Sequence, residues 1–211
     1  MRQITVIANG VIFSEAITIP ENEMVIAADG GTRHCFKLGI TPDVVIGDFD
    51  SLSKEEISTL EKKHIEIIRH PVDKDETDLE LALHKALELG ATRITLYGLL
   101  GGRWDMSFAN LLLLAMPHFA GIRFRVVAGK TEAFILRSGE TLELQGESED
   151  TVSVVPLNQR IHGLTYDGLQ WPLEGATLDF GTPRGVSNRF VNSPAHIHLD
   201  DGLLLVFLIH Q

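Results

Sequence analysis

The feature that most constrains the fold is a series of short Val, Ile and Leu runs, alternating with helix-like stretches through the first 129 residues. The runs are almost continuously apolar, which is typical of strands that are buried on both faces. They predict strands at Ile4–Ala8, Val25–Ala28, Val44–Ile46, Ile65–Ile68, Ile94–Tyr97 and Phe124–Val127. Strands that alternate with helices predict an α/β domain over residues 1–129, with a mostly parallel sheet covered by helices.

The stretches between these runs contain three predicted helices, at Lys54–Lys63, Leu79–Leu89 and Ser107–Ala115. The second is the clearest, because its apolar residues recur on one face and Gly90 follows its end. Thr77 and Glu80 stand three residues apart at its start, which is the pattern of a capping box.

The sequence changes character after about Lys130. Short β-like runs now recur between Gly, Pro, Asp and Asn residues, without a helical period. They are Ala133–Leu136, Thr141–Leu144, Thr151–Pro156, Leu164–Tyr166, Ala176–Leu178, Ala195–Leu199 and Leu203–Ile209. Regular short strands with turn residues predict a second, all-β domain over residues 130–211, either a sandwich or a barrel.

Net charge and cysteine content indicate which partners and which cellular compartment to expect. The formal net charge of −11 opposes binding to nucleic acid or to a membrane surface. The sequence has no apolar run of about 18 residues that could span a membrane, and its N-terminus has the pattern of a strand rather than of a signal peptide. Cys35 is the only cysteine, which suits a reducing compartment. We therefore expect a cytoplasmic protein with no nucleic-acid or membrane partner.

Polar residues follow four successive predicted strands. They lie in Asp29–Gly31, Gly47–Ser51, His70–Asp78 and Gly98–Asp105. Ligands of open parallel sheets bind beyond the carboxyl ends of the strands, so these four loops are expected to converge on one edge.

A cluster of acids at that edge needs a compensating cation, because neighbouring carboxylates raise one another's pKa. Mg²⁺ takes one or two carboxylates and completes its shell with water and phosphate oxygens. Asp48 and Asp50 stand two positions apart after a strand and could reach one ion. Arg103 could bind a phosphate with two parallel donors, and Gly101 and Gly102 would allow the backbone to approach it. The pattern predicts an enzyme that binds a magnesium–nucleotide complex.

Each motif taken alone also has a structural interpretation. Asp29 before two glycines is typical of a turn, and Asp75 or Thr77 could simply cap the following helix. Arg103 alone would be a surface arginine. The functional interpretation rests on the coincidence of acids at four strand ends with the Gly-Gly-Arg segment among them.

Together these motifs resemble the thiamine pyrophosphokinase family. The matching stretches are, in chain order, Ala28–Gly31, Pro42–Ser51, Lys74–Ala82, Gly101–Asp105 with Ala109 and Asn110, Gly163–Tyr166, Trp171–Leu173 and Gly185–Asn188. The resemblance implies an α/β domain followed by a β-sandwich, and a homodimer with its active sites at the subunit interface. It also implies transfer of diphosphate from Mg-ATP to thiamine, which gives thiamine diphosphate and AMP.

The resemblance also implies roles for individual residues. The metal ligands would be Asp48, Asp50 and Asp78, and the catalytic residues Asp50, Asp78 and Arg103. The ATP site would comprise Asp29, Gly30, Gly31, Thr77, Gly101, Gly102, Arg103, Asp105 and Asn110. The thiamine site would comprise Asp75, with Ser187 and Asn188 from the partner subunit. Two positions depart from the family's usual pattern, Met106 where histidine is common and Arg189 where an acid is common.

Two other functions are compatible with some of these features. A haloacid-dehalogenase-like phosphatase also has two aspartates after an apolar strand, although there they follow the first strand of the sheet. A nucleotide sensor without catalytic activity would bind Mg-ATP and turn over no alcohol.

Overall fold

The structure is a computed structural model, and it describes residues 2–13 and 17–211. The chain divides into two compact units, Met1–Gly129 and Lys130–Gln211. Among the residues described, none of the helices has the length and apolar character needed to cross a membrane.

The first unit is an α/β domain built on a parallel sheet. Its strands are β1 (Arg2–Ile7), β2 (Met24–Ala28), β3 (Val44–Gly47), β4 (Glu66–Arg69), β5 (Ala91–Tyr97) and β6 (Arg123–Ala128). Its helices are α1 (Gly31–Leu38), α2 (Lys54–Lys62), α3 (Asp78–Glu88) and α4 (Trp104–Leu113), with a 3₁₀ turn at Pro117–Phe119. The strands pair in parallel in the order β6-β5-β1-β2-β3-β4, which confirms the predicted fold class.

This strand order creates a crevice at one end of the sheet. From β1 the chain moves outward through β2, β3 and β4, and then returns to the other side of β1 with β5 and β6. The direction of winding therefore reverses between β1 and β5. In doubly wound sheets the loops at such a reversal separate, and ligands bind between them beyond the carboxyl ends of the strands.

Apolar residues on both faces of the sheet are covered by helices. On one face, Ile7, Val25 and Val45 pack in a cluster with Cys35 of α1 and Leu60 of α2. Helix α3 contacts β1, β2, β3 and β5 and buries its apolar stripe of Leu79, Ala82, Leu83 and Ala86. Burial raises the pKa of the Cys35 thiol to about 12, so this cysteine is an inert part of the core.

Two helices begin where the sequence pattern did not predict them. Helix α1 begins at Gly31, within the Asp29–Gly31 segment whose pattern taken alone is typical of a turn. Helix α4 begins at Trp104, three residues before the predicted start at Ser107. The Ser107 hydroxyl lies within this first turn, where it donates to the Arg103 carbonyl (2.9 Å) and accepts from the Gly101 N–H (3.0 Å).

The predicted capping box of α3 is only half formed. Thr77 Oγ1 accepts a hydrogen bond from the Glu80 N–H (3.2 Å), but no return bond from the Glu80 carboxylate to Thr77 is present among the described contacts. A complete capping box instead begins α2, where Ser53 and Glu56 each bond to the other's backbone N–H.

The second unit is a β-sandwich. Its strands are β7 (Thr131–Arg137), β8 (Glu140–Leu144), β9 (Thr151–Pro156), β10 (Arg160–Asp167), β11 (Ala176–Asp179), β12 (Asn188–Arg189), β13 (Ala195–Leu199) and β14 (Leu203–Ile209). One sheet has the order β12-β9-β14-β7 and the other β11-β10-β13-β8. Residues of the first, such as Val154 and Val206, share a buried core with residues of the second, such as Ile161 and Ile197. The C-terminal β-sandwich is therefore confirmed.

Candidate active site

A cavity lies at the carboxyl end of the parallel sheet, at the reversal between β1 and β5. Its volume is 540 Å³, within the range of about 300–1,000 Å³ that is usual for small-molecule sites. All of its lining residues belong to the first unit: Ala8–Gly10, Ala28, Asp29, Asp48, Val72, Lys74, Glu76–Leu79, Gly98, Leu99, Gly101–Arg103, Met106 and Asn110.

Three aspartates converge beside this cavity. One carboxylate oxygen each from Asp29, Asp48 and Asp50 lies within 4.8 Å of the others. Asp29 follows β2, and the other two follow β3, its parallel neighbour, so pairing of the strands brings the acids together. The Asp50 N–H donates to Asp48 Oδ1 (3.0 Å), which fixes the turn that carries both. We call these three residues the acid trio.

Asp29 is the buried member of the trio, with 7% of its surface exposed. Its Oδ2 accepts a hydrogen bond from Ser51 Oγ (2.8 Å), whereas its Oδ1 is buried and has no partner among the described residues. A buried carboxylate oxygen without a donor is costly, and three carboxylates are ligands that a hard divalent cation accepts. The residues present therefore fit Mg²⁺.

The two loops that carry the trio leave no room for a side chain at Gly47. Gly47, at the end of β3, has φ 154°, and a Cβ there would lie 2.9 Å from the Cβ of Asp29. Asp29 itself has φ 41° and Phe49 has φ 62°, in the left-handed region that non-glycine residues seldom adopt. The two loops are thus closely packed, and this packing sets the spacing of the acids.

Repulsion between the carboxylates of the trio affects the pKa of Asp50. The charge of Asp48 raises the pKa of Asp50, with further contributions from partial desolvation and from the charges of Asp29 and Asp78. A divalent cation among these oxygens would relieve that repulsion.

Asp78, the third metal ligand implied by the family resemblance, lies on the cavity wall and outside the acid trio. Its Oδ1 is 2.8 Å from Lys74 Nζ, which is also 3.8 Å from Asp48 Oδ2. Metal binding by Asp78 therefore stays a prediction. Lys74 is a cavity residue to which the sequence assigned no role, although it is the only lysine in the acidic stretch that precedes α3.

The two other predicted residues of this loop, Asp75 and Thr77, differ in whether they line the cavity. Thr77 lines the cavity, and its hydroxyl caps α3. Asp75 is exposed and lies outside the cavity lining. Asn9, which follows β1, also lines the cavity but was not predicted. Its position directly after a strand is the same feature that identified the acids.

The glycines of the predicted ATP site differ in what they contact. Gly101 and Gly102 line the cavity with φ angles of 98° and 76°, which favour glycine. Gly30 packs against the side chain of Asn9, and Gly31 packs against the Ile7 carbonyl at the start of α1, so these two lie behind the cavity wall.

Arg103 and Asp105 form an ion pair at the rim of the cavity. Arg103 donates from Nε to Asp105 Oδ1 (3.2 Å) and from Nη2 to Oδ2 (2.5 Å). The hydrogen bond from Arg103 lowers the pKa of Asp105. The Arg103 side chain is 72% exposed, so a ligand could reach it from solvent. Asn110 donates to the Leu99 carbonyl (3.1 Å) and so holds the loop that follows β5.

The two predicted thiamine-site residues of the second unit differ in accessibility. Ser187 is exposed and has φ 64°, with its N–H bonded to Ser153 Oγ (3.0 Å). Asn188 is buried, and its amide accepts from the Trp171 N–H (3.0 Å) and donates to the Trp171 carbonyl (2.8 Å). The Asn188 side chain therefore holds the backbone of Trp171, whose own side chain is exposed.

Comparison with known proteins identifies the family. Residues 17–126 match the thiamin pyrophosphokinase catalytic domain, and residues 140–204 match the thiamin pyrophosphokinase vitamin B1 binding domain. The chain belongs to the thiamin pyrophosphokinase family. The resemblance recognised in the sequence motifs is thereby confirmed, and no comparison supports a phosphatase.

Relatives in this family match over most of the chain. Thiamine pyrophosphokinase of Bacillus subtilis (strain 168) is 30% identical over 186 residues, which cover 88% of this chain and 87% of the relative. The crystal structure of the Bacillus subtilis enzyme has a TM-score of 0.87 at 26% identity and covers 100% of both chains. A thiamin pyrophosphokinase family protein from Enterococcus faecalis has a TM-score of 0.87 at 25% identity, again with 100% coverage of both chains.

The two matched regions divide the residues of the candidate site between them. The acid trio, Lys74, Asp78 and Arg103 fall within the catalytic-domain match. Ser187 and Asn188 fall within the vitamin B1 binding match.

Proposed function

We propose that this chain transfers diphosphate from Mg-ATP to the hydroxyl of thiamine, with thiamine diphosphate and AMP as products. The observation that carries the proposal is the acid trio beside the cavity, with a buried Asp29 oxygen that has no partner among the described residues, in a chain of the thiamin pyrophosphokinase family. Such a site suits a metal-bound polyphosphate.

The acids of the cavity would hold the metal. Asp48 and Asp50 are the proposed ligands, with Asp29 beside them and Asp78 as the further acid implied by the family pattern. When bound, Mg²⁺ supplies positive charge against the phosphate oxygens.

The reaction is a displacement at the β-phosphorus of ATP. The hydroxyl oxygen of thiamine forms the new bond to this phosphorus, the bond to the bridging α–β oxygen breaks, and AMP leaves. The hydroxyl proton passes to a carboxylate, for which Asp50 and Asp78 are the candidates. The protein contributes mainly alignment and charge neutralisation, as in other phosphoryl transfers.

The remaining cavity residues would bind ATP. Gly102, with nothing within 4 Å of its Cβ position, leaves space for phosphate oxygens near the backbone, whereas Gly101 packs against Val11. Arg103 at the rim uses one N–H each of Nε and Nη2 on Asp105, which leaves its Nη1 donors and the second Nη2 donor for a phosphate. Of the other residues of the proposed ATP site, Asp29, Thr77 and Asn110 line the cavity, whereas Gly30 and Gly31 lie behind its wall and Asp105 pairs with Arg103.

Thiamine would bind between two subunits of a homodimer. In this proposal Ser187 of one subunit lies against thiamine held near the other subunit's acids, with Asp75 as a further contact. The exposed ring of Trp171 offers an aromatic face to the cationic thiazolium, and Asn188 supports that ring through the backbone of Trp171. We propose the cytoplasm as the compartment, which suits a chain with a single cysteine.

Incubation with ATP, Mg²⁺ and thiamine tests this function directly. We expect AMP and thiamine diphosphate in equal amounts, and no AMP when thiamine is omitted. Release of inorganic phosphate without AMP would indicate a phosphatase. Binding of Mg-ATP without turnover would indicate a sensor, and either result would contradict the proposed function.

A further inference from the structure

Lys74 is the interior cation of the cavity. Among the residues described, the lysine and arginine side chains that line it are Lys74 and Arg103. Arg103 lies at the rim with 72% of its side chain exposed and pairs with Asp105. Lys74 has only 11% of its side chain exposed and faces Asp48 and Asp78. Lys74 therefore places a largely buried positive charge beside Asp48 and Asp78.

The geometry of Lys74 links the acid trio to Asp78. Its Nζ lies 2.8 Å from Asp78 Oδ1, within hydrogen-bond distance, and 3.8 Å from Asp48 Oδ2, beyond it. An ammonium has three N–H donors, so the contact with Asp78 leaves further donors for a ligand. The opposite charges of Lys74 and Asp48 also attract each other across this 3.8 Å separation.

We propose that Lys74 couples metal binding to nucleotide binding. In the free protein it acts as a counter-ion to Asp48 and Asp78 and opposes entry of a divalent cation on its own. When a polyphosphate enters, Lys74 donates to a phosphate oxygen, and its charge and that of the metal are both neutralised by the ligand. Metal and nucleotide therefore bind together. This inference rests on the proposed function, because it assigns the polyphosphate to the same cavity.

The coupling predicts opposite effects of one substitution on two ligands. Lys74→Met keeps an unbranched side chain but removes the charge. We expect Mn²⁺ alone to bind the nucleotide-free variant about tenfold more tightly than the wild type, because a competing cation has gone. We expect α,β-methylene-ATP to bind about tenfold more weakly at saturating Mg²⁺, because one charged donor to phosphate has gone. A general loss of structure would weaken both.

Two further variants distinguish an effect specific to Lys74 from a general effect of the protein's net charge. Lys85→Met is the matched control, since Lys85 lies on α3 outside the cavity and pairs with Glu66 (3.1 Å). It should leave both affinities unchanged. Lys74→Arg keeps the charge and should stay close to the wild type in Mn²⁺ affinity.

Free Mn²⁺ is measured by electron paramagnetic resonance and nucleotide binding by calorimetry, both on the full chain without thiamine. Circular dichroism establishes that each variant is folded, and Lys74→Gln replaces Lys74→Met if the latter is not. Unchanged or weaker Mn²⁺ binding by the folded variant, or unchanged nucleotide binding, would overturn the coupling. If the wild type makes no thiamine diphosphate and the opposite shifts still occur, the proposed function fails while the coupling stands.

Discussion

The Ser51 hydroxyl donates to Asp29 Oδ2 (2.8 Å), so the loop after β3 orients the carboxylate that follows β2. This bond occupies one oxygen of Asp29 and leaves the other buried without a described partner. An acid held in this way is aligned before a cation arrives, which reduces the free energy needed to order the site on binding.

The contribution of that alignment can be measured with Ser51→Ala. Loss of the bond should weaken metal binding by about 1 kcal/mol, or roughly fivefold. The expected result is a higher Mg²⁺ concentration for half-maximal rate, with little change in the rate at saturation. Thr59→Ala is the control, because the Thr59 hydroxyl donates to the Glu55 carbonyl within helix α2. An equal shift in both variants would exclude a specific role for Ser51.

Asp50→Asn should separate activity from stability. We expect loss of turnover, since a proposed metal ligand becomes neutral, together with a higher Tm in the absence of metal, since repulsion from Asp48 is removed. The pKa of Asp50 is raised in the folded state, so wild-type stability should fall as pH rises from the unfolded-state pKa through the folded one. The variant should lack this component. Near-normal turnover in Mg²⁺ would show that Asp50 is not a ligand.

Arg103→Lys is not expected to be conservative. Lysine keeps the positive charge but loses the planar pair of donors that now bonds both oxygens of Asp105. We expect the rate to fall by about tenfold or more, equivalent to about 1.4 kcal/mol in the barrier. Steady-state kinetics with ATP as the varied substrate will show the effect. An unchanged rate would mean that Arg103 acts only as a distant charge.

Asn188→Ala should destabilise the second unit. Asn188 bonds both the N–H and the carbonyl of Trp171, and its removal leaves these groups without partners. The expected loss is about 2 kcal/mol in the free energy of unfolding, measured with urea. Ser187→Ala serves as the comparison, because Ser187 is exposed and bonds through its backbone N–H. If both variants unfold like the wild type, the contacts of Asn188 with Trp171 contribute little.

The shared active site can be tested with mixed dimers. Asp48→Ala damages the proposed metal site, and Ser187→Tyr places a bulky ring at an exposed position of the proposed thiamine site without disturbing Asn188. Each homodimer should be nearly inactive. A mixed dimer would contain one site with both changes and one intact site, so activity should reappear after the two chains are unfolded and refolded together. Mixed dimers that form by mass measurement but stay inactive would contradict the shared site.

The sheet and its polar edge were predictable because their signals are local. Buried parallel strands are continuously apolar, and the residues that follow each strand are adjacent to it in sequence. The start of helix α1 was not predicted, because its N-cap Gly30 and its first residue Gly31 are typical of a turn. The two-residue strand β12 is too short to show any alternation.

The partners of individual site residues depend on contacts that the sequence does not encode locally. The bond from Ser51 to Asp29 spans 22 positions, and the bonds from Asn188 to Trp171 span 17. Lys74 and Asp78 are four residues apart, but Lys74 precedes α3, so the helical spacing rule did not predict their contact. The positions of the acids could therefore be anticipated, whereas the orientations of their side chains could not.

Phe49 lies between Asp48 and Asp50 in the sequence and is itself part of the apolar cluster beneath the sheet, with 4% of its surface exposed. The guanidinium of Arg69, at the end of β4, lies 5.1 Å from the centre of its ring. The two acids are thus carried by a loop that is anchored in the core at its midpoint. Heating should therefore abolish cation binding and melt the first unit in a single transition, without an earlier step in which the loop alone becomes disordered.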